Sequence, residues 1–158
     1  MRRLFRLFLV LAIVGLGVAW LVLRPQPLSD DALAGLSGDA GLGELVFWAG
    51  GCASCHAGDK ASDDEKLVLK GGQRFPSPFG TFIAPNISSD PDVGIGNWSE
   101  LDLANAMVRG VSPKGQHYYP VFPYASYAKA DLQDVVDLRA FMATLPADPT
   151  PSGTHEVG

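Results

Sequence analysis

Residues 52–56 read Cys52-Ala53-Ser54-Cys55-His56, and these two cysteines are the only ones in the 158-residue chain. C-x-x-C-H is the attachment signature of c-type haem. Each residue type answers a chemical need. Only cysteine brings a thiol that adds across a vinyl group to leave a thioether. A neutral imidazole is a proximal ligand for haem iron. The pattern implies one covalent haem c, bonded to Cys52 and Cys55, with His56 on the iron. Competing uses fit less well. Structural zinc takes four Cys or His ligands, and the other histidines, His117 and His155, lie too far apart for finger spacing. A thioredoxin-like pair needs a βαβ pattern around it, and none surrounds this one. A disulfide would leave His56 without a role. The motif also constrains the fold, because a small domain must wrap a flat apolar group that supplies much of its core.

The N-terminus bears on location. Arg2, Arg3 and Arg6 precede the uncharged run Leu7–Leu23, which ends at Arg24, Pro25 and Pro27. With Leu4 and Phe5 the run reaches the ~20 residues a membrane-spanning helix needs. A cleaved signal peptide is the rival reading, with an apolar stretch of roughly 7–15 residues and a small-x-small cleavage site. This run is longer, and Arg-Pro-Gln-Pro follows it. An uncleaved anchor over residues 1–24 is favoured, with the arginines holding the N-terminus in the cytoplasm. The remainder would then face the bacterial periplasm from a single-pass inner-membrane helix. Beyond Arg24 there are 8 basic residues against 17 acidic. Nucleic-acid binding needs a basic face, so that function class is excluded.

Residues 25–38 read as a linker, 39–146 as one compact domain, and 147–158 as a disordered Pro/Gly-rich tail. Three helices are legible. The first runs from about Asp39 to Ala49, with Leu42, Leu45 and Val46 at helical spacing. The second begins at Ser99, a capping residue with Asp102 in the first turn, and stops at Gly110. The third runs from Asp131 to Leu145 and is ended by Pro146. The loops between are dense in Gly and Pro, and no strand pair stands out. The expectation is an all-α domain of three or more helices.

From Gly43 to Pro146 the chain resembles the class I cytochrome c subunits of periplasmic alcohol, aldehyde and gluconate dehydrogenases. The segments that carry the resemblance are GELVFWAGGCASCH, PFGTFIAPNISSDPDVGIGNWS, ANAMVRGVSPKGQHYYPVFPY and DVVDLRAFMATLP. The resemblance implies that first and last helices cross near the haem, with Gly43 and Phe47 against Leu138 and Phe141. It implies an electron-transfer protein rather than an enzyme. Electrons would pass from a partner dehydrogenase toward a terminal oxidase, other cytochromes or quinone.

One departure stands out. Such proteins carry a pattern like YPAMPY, whose methionine is the second axial ligand. Here the stretch is YPVFPY, residues 119–124, with Phe122 at the methionine position and Ala130 where some relatives place a later methionine. Phenylalanine cannot ligate iron. His117, Met107, Met142 and Lys129 are the candidate replacements, beside an open or water-ligated iron. The missing sulfur keeps a second reading in view, a ligand-binding haem protein such as a gas or redox sensor or a small peroxidase. Asn86 and Trp98 are candidate partners of the haem propionates through an amide and an indole N–H.

Overall fold

A computed structural model describes residues 1–158, the side chain of Asp64 excepted. The apolar N-terminal run forms helix α1, Arg2–Leu23, which has no buried residue and contains an 18-residue stretch with a mean hydropathy of 2.5. At 1.5 Å per residue such a helix is about 33 Å long, enough to cross a bilayer by length and composition. It stops at Arg24, whose extended backbone (φ −66°, ψ 145°) is the conformation demanded of a residue before proline.

Residues 25–38, read as a linker, lie along the domain. Leu28 and Leu33 pack on the core. The Leu28 N–H donates to Asn105 Oδ1 at 2.7 Å, and Gln133 Nε2 donates to the Ser37 carbonyl.

Helix α2, Ala40–Ala49, starts where Asp39 caps it by accepting from the N–H groups of Gly41 and Leu42. The Asp39 N–H in turn donates at 2.7 Å to the buried carboxylate of Asp137 on the last helix, α6 (Leu132–Met142). Gly43 is the crossing point of the two helices. A Cβ there would collide with the Asp137 carbonyl and with Phe141 Cβ. One turn on, the fully buried Phe47 meets Phe141 with ring centroids 5.3 Å apart. Burying a phenylalanine contributes about 1.5–3 kcal/mol and such a pair about 0.5–1.5 kcal/mol more. These gains outweigh the roughly 1 kcal/mol that glycine costs inside a helix.

The short helix α3, Cys52–His56, follows α2. Helix α4, Glu100–Ala104, has the capping box expected at Ser99 and Asp102 and runs into a π-helical turn, Asn105–Arg109. Gly110 ends it in the left-handed region at φ +62°. A single turn, α5 (Tyr124–Tyr127), precedes α6, which Asp131 caps.

The all-α expectation is corrected by a small antiparallel sheet. Strands β1 (Arg74–Ser77) and β2 (Gly80–Ile83) form a hairpin, and β3 (Glu156–Val157) pairs with β2 on its other edge. The tail is therefore ordered against the domain. Pro76 concealed the hairpin. A proline lacks the ladder N–H and argues against a strand, yet it is tolerated in β1 because that strand is an edge.

Candidate haem-attachment site

The chain leaves α2 through Gly50 and Gly51, and Gly51 (φ +69°) takes the left-handed conformation that opens α3. One helical turn then sets Cys52 and Cys55 three residues apart and His56 four from Cys52, the spacings that share a helix face. The two cysteines form no disulfide with each other, and both are half-buried. Burial pushes the Cys52 thiol up to about 11; its own backbone N–H opposes this and the neighbouring Cys55 adds to it.

The end of α3 is closed by the segment that follows. A helix leaves its last carbonyls unsatisfied. The Gly71 N–H donates to the His56 carbonyl at 2.7 Å. The Gln73 amide, oriented with its nitrogen toward the turn, donates to the carbonyls of Ser54 (2.8 Å) and Cys55 (3.2 Å). Reaching this position puts Leu69 at φ +56°. That conformation costs a non-glycine residue about 1–3 kcal/mol, and complete burial of the leucine side chain, about 1.5–3 kcal/mol, offsets it.

His56 Nδ1–H donates to the Pro85 carbonyl at 2.9 Å, which sets the tautomer, because a carbonyl can only accept. Nε2 is the remaining ring nitrogen and carries the lone pair. Burial holds the imidazole pKa below its ordinary 6.5, outweighing the opposing effect of the Pro85 bond, so the ring is neutral. Two thiols on one turn and a neutral imidazole, its second nitrogen held by a carbonyl, are the donors that a thioether-bonded haem takes. A bare metal ion fits worse, since no group of three His, Cys, Asp or Glu side chains converges among the described residues.

The loop carrying Phe122 closes on this turn. Phe122 is half-buried in an aromatic cluster with Tyr118, Tyr124 and Tyr127 at centroid distances of 5.6, 6.4 and 6.2 Å. Tyr127 Oη–H donates to the Gly50 carbonyl at 2.9 Å. Its pKa is raised by burial first and by the nearby Cys52 and Cys55 next. Tyr118 is pushed up to about 12 by burial and then by Asp102.

The other expected site residues scatter. His117 is exposed, and its Nε2–H donates to the Leu23 carbonyl at the end of α1, 2.9 Å away. Met107 and Met142 belong to the core cluster. Trp98 packs half-buried on that core, and its carbonyl accepts from Arg139 Nε at 3.1 Å. Asn86 is buried, and both amide hydrogens go to the tail, to the carbonyls of Asp148 and Thr150 at 2.8 Å each. That leaves no Asn86 side-chain N–H for a propionate. Pro85, Gly71 and Gln73 were not legible as site residues. Pro85 and Gly71 act through their backbones, and no pattern in the chain announces the Gln73 contact.

A glycine-notched helix crossing beside a two-thiol turn, with its histidine held by a loop carbonyl, defines a small haem-attaching domain. The chain belongs to the cytochrome c family, whose sequence model matches residues 40–146. It is 49% identical over 158 residues to a protein named diheme cytochrome c-type from Cereibacter sphaeroides, covering 99% of this chain and 53% of that one. It is 40% identical over 102 residues to a nicotinate dehydrogenase subunit of Pseudomonas putida, 63% of this chain and 8% of the relative. To the gluconate 2-dehydrogenase cytochrome c subunit of Pantoea cypripedii it is 35% identical over 105 residues, 63% of this chain and 21% of the relative. The chain thus spans about half the length of the first of these and less of the others.

Proposed function

We propose that this chain is a membrane-anchored electron carrier with one haem c, serving a partner dehydrogenase. The observation that carries the reading is the single turn holding both cysteines and His56, whose Nδ1–H is fixed on Pro85. Haem c, when bound, supplies a one-electron couple at iron. Cys52 and Cys55 hold it covalently and His56 binds the iron. The chain has one C-x-x-C-H, which supports one haem for these residues beside a relative named as diheme.

The dehydrogenase partner is supported by relatives named as cytochrome subunits of gluconate, alcohol and fructose dehydrogenases. A terminal oxidase, another cytochrome or quinone would take the electrons onward. The chain carries no substrate chemistry of its own in this reading. Helix α1 supports a single-pass anchor in the bacterial inner membrane, with the domain in the periplasm, where covalent haem attachment takes place. Trp98 is retained as a propionate donor through its indole N–H.

One observation favours a second reading. Phe122 stands where the family pattern places a sulfur ligand, and its aromatic neighbours bring no iron-binding atom except tyrosine oxygen. An open distal position would suit a ligand-binding haem protein. The test begins with mass spectrometry of protein matured in a haem-loading host, where a covalent haem adduct lost in Cys52→Ala/Cys55→Ala is expected. Absence of the adduct would end the haem reading. The reduced visible spectrum with and without carbon monoxide then separates the two functions. A low-spin spectrum indifferent to carbon monoxide supports electron transfer. A high-spin spectrum that shifts supports ligand binding.

A further inference from the structure

The peptide unit between Pro85 and Asn86 is gripped from both ends. Its carbonyl accepts from His56 Nδ1–H at 2.9 Å. Its N–H, from Asn86, donates to Ser152 Oγ in the tail at 2.9 Å. A peptide group is planar and stiff, so fixing the direction of the N–H fixes that of the carbonyl.

The rest of the tail reinforces this grip. Asn86 Nδ2 donates to the carbonyls of Asp148 and Thr150, and Asn86 Oδ1 accepts from the Ser88 N–H. The Asp148 N–H donates to Ser88 Oγ, and the Asp148 carboxylate caps the Thr150 N–H. Further along, the Ile83 N–H donates to His155 Nδ1 at 3.1 Å. Gly153 lies on the Ile83 side chain, where a Cβ would approach Ile83 Cγ2 to 2.7 Å. On the opposite side, Gly71 (φ +72°) leaves room for the carbonyl; a Cβ there would lie 2.5 Å from both Ala84 and Pro85 oxygens.

We propose that the tail, residues 148–155, is a strap that aims the Pro85 carbonyl at His56, with Asn86 and Ser152 as positioning residues. This rests on His56 being the iron ligand. A hydrogen bond to the far nitrogen of a ligating histidine raises its basicity and fixes its ring. A more basic ligand favours the oxidised iron, so the strap lowers the midpoint potential, and by holding the acceptor in place it slows exchange of the Nδ1 proton.

The test uses the full-length holoprotein and three substitutions. Ser152→Ala removes the acceptor of the Asn86 N–H from an exposed position. Asn86→Ala removes the side-chain bonds. Arg74→Gln unties only the far end of the tail, at Glu156. Histidine-labelled protein is followed by NMR through the hyperfine-shifted ring signals of His56, and the midpoint potential is measured in parallel. Ser152→Ala is expected to speed exchange of the His56 Nδ1 proton about fivefold, the change that loss of one ordinary hydrogen bond brings, and to raise the potential. Asn86→Ala does both more strongly, and Arg74→Gln leaves the exchange at its wild-type rate. If the proton and the potential ignore Ser152→Ala and Asn86→Ala while the tail amides lose protection, the strap is overturned. If Asn86→Ala fails to fold, Ser152→Ala alone decides. Equal acceleration by Arg74→Gln would also overturn it, since any loosening of the tail would then suffice. Oxidised wild-type protein without hyperfine-shifted His56 signals would remove the ligand assignment itself, a failure distinct from that of the strap.

Discussion

Ser152 and His56 hold opposite ends of one peptide unit, the Asn86 N–H and the Pro85 carbonyl, across a separation of 96 residues. The tail is therefore tied to the peptide unit that holds the His56 ring. The consequences of this and other contacts are open to measurement.

Gly43→Val puts a branched side chain against the Asp137 carbonyl, a backbone atom that cannot rotate away. Overpacking of this kind costs about 1–3 kcal/mol. Urea unfolding of the holoprotein should show that loss as a lower midpoint with an unchanged slope. Leu45→Ala, on the exposed side of the same helix, should stay within about 0.5 kcal/mol.

Phe122→Met restores sulfur at the position where the family pattern carries its axial methionine. The midpoint potential should rise, because a sulfur partner raises it relative to nitrogen or water. Any carbon monoxide response of the reduced wild-type protein should disappear in the variant. A variant as responsive as wild type would show that the loop does not bring residue 122 to the iron.

His117→Ala should leave the visible spectrum of the reduced protein unchanged, because the imidazole is held on the Leu23 carbonyl at the end of α1. A change of spin state on this substitution would instead make His117 the distal ligand. The loss expected is local: protease access between Arg24 and Leu28 should increase.

Acid should loosen β3 before the helices. Arg74 lies against Glu156 with Nη–Oε distances of 3.1 and 2.6 Å, and this hydrogen bonding followed by the charge itself holds the Glu156 carboxyl below its ordinary 4.5. A depressed carboxyl pKa contributes stability above its unfolded value and loses it as pH falls through the folded one. Protection of the amides of residues 156–157, measured relative to their intrinsic exchange rates, should therefore fall as pH drops below 4.5, and Glu156→Gln should abolish that fall. The pair is exposed, so added salt should shrink the effect.

Much of this molecule is legible in its residues. Helices α4 and α6 follow from apolar spacing and from the caps Ser99 and Asp131, and the start of α2 from its cap Asp39, but the spaced Leu42 and Leu45 of α2 lie exposed and Gly43 and Phe47 form its buried face. The haem turn follows from two thiols and an imidazole in five residues. These are local signals, written in side chains one to four residues apart, where helix geometry alone brings neighbours together. Tertiary structure decided the rest. The Pro85 carbonyl reaches a histidine 29 residues away, and the Ile83 N–H reaches His155 across 72. Carbonyl and N–H groups are present at nearly every residue, so nothing in a sequence marks the one that will be used. Asn86 has a side chain suited equally to a propionate, a turn or a tail. Only the placement of residues 148–152 beside it in the folded domain determined which.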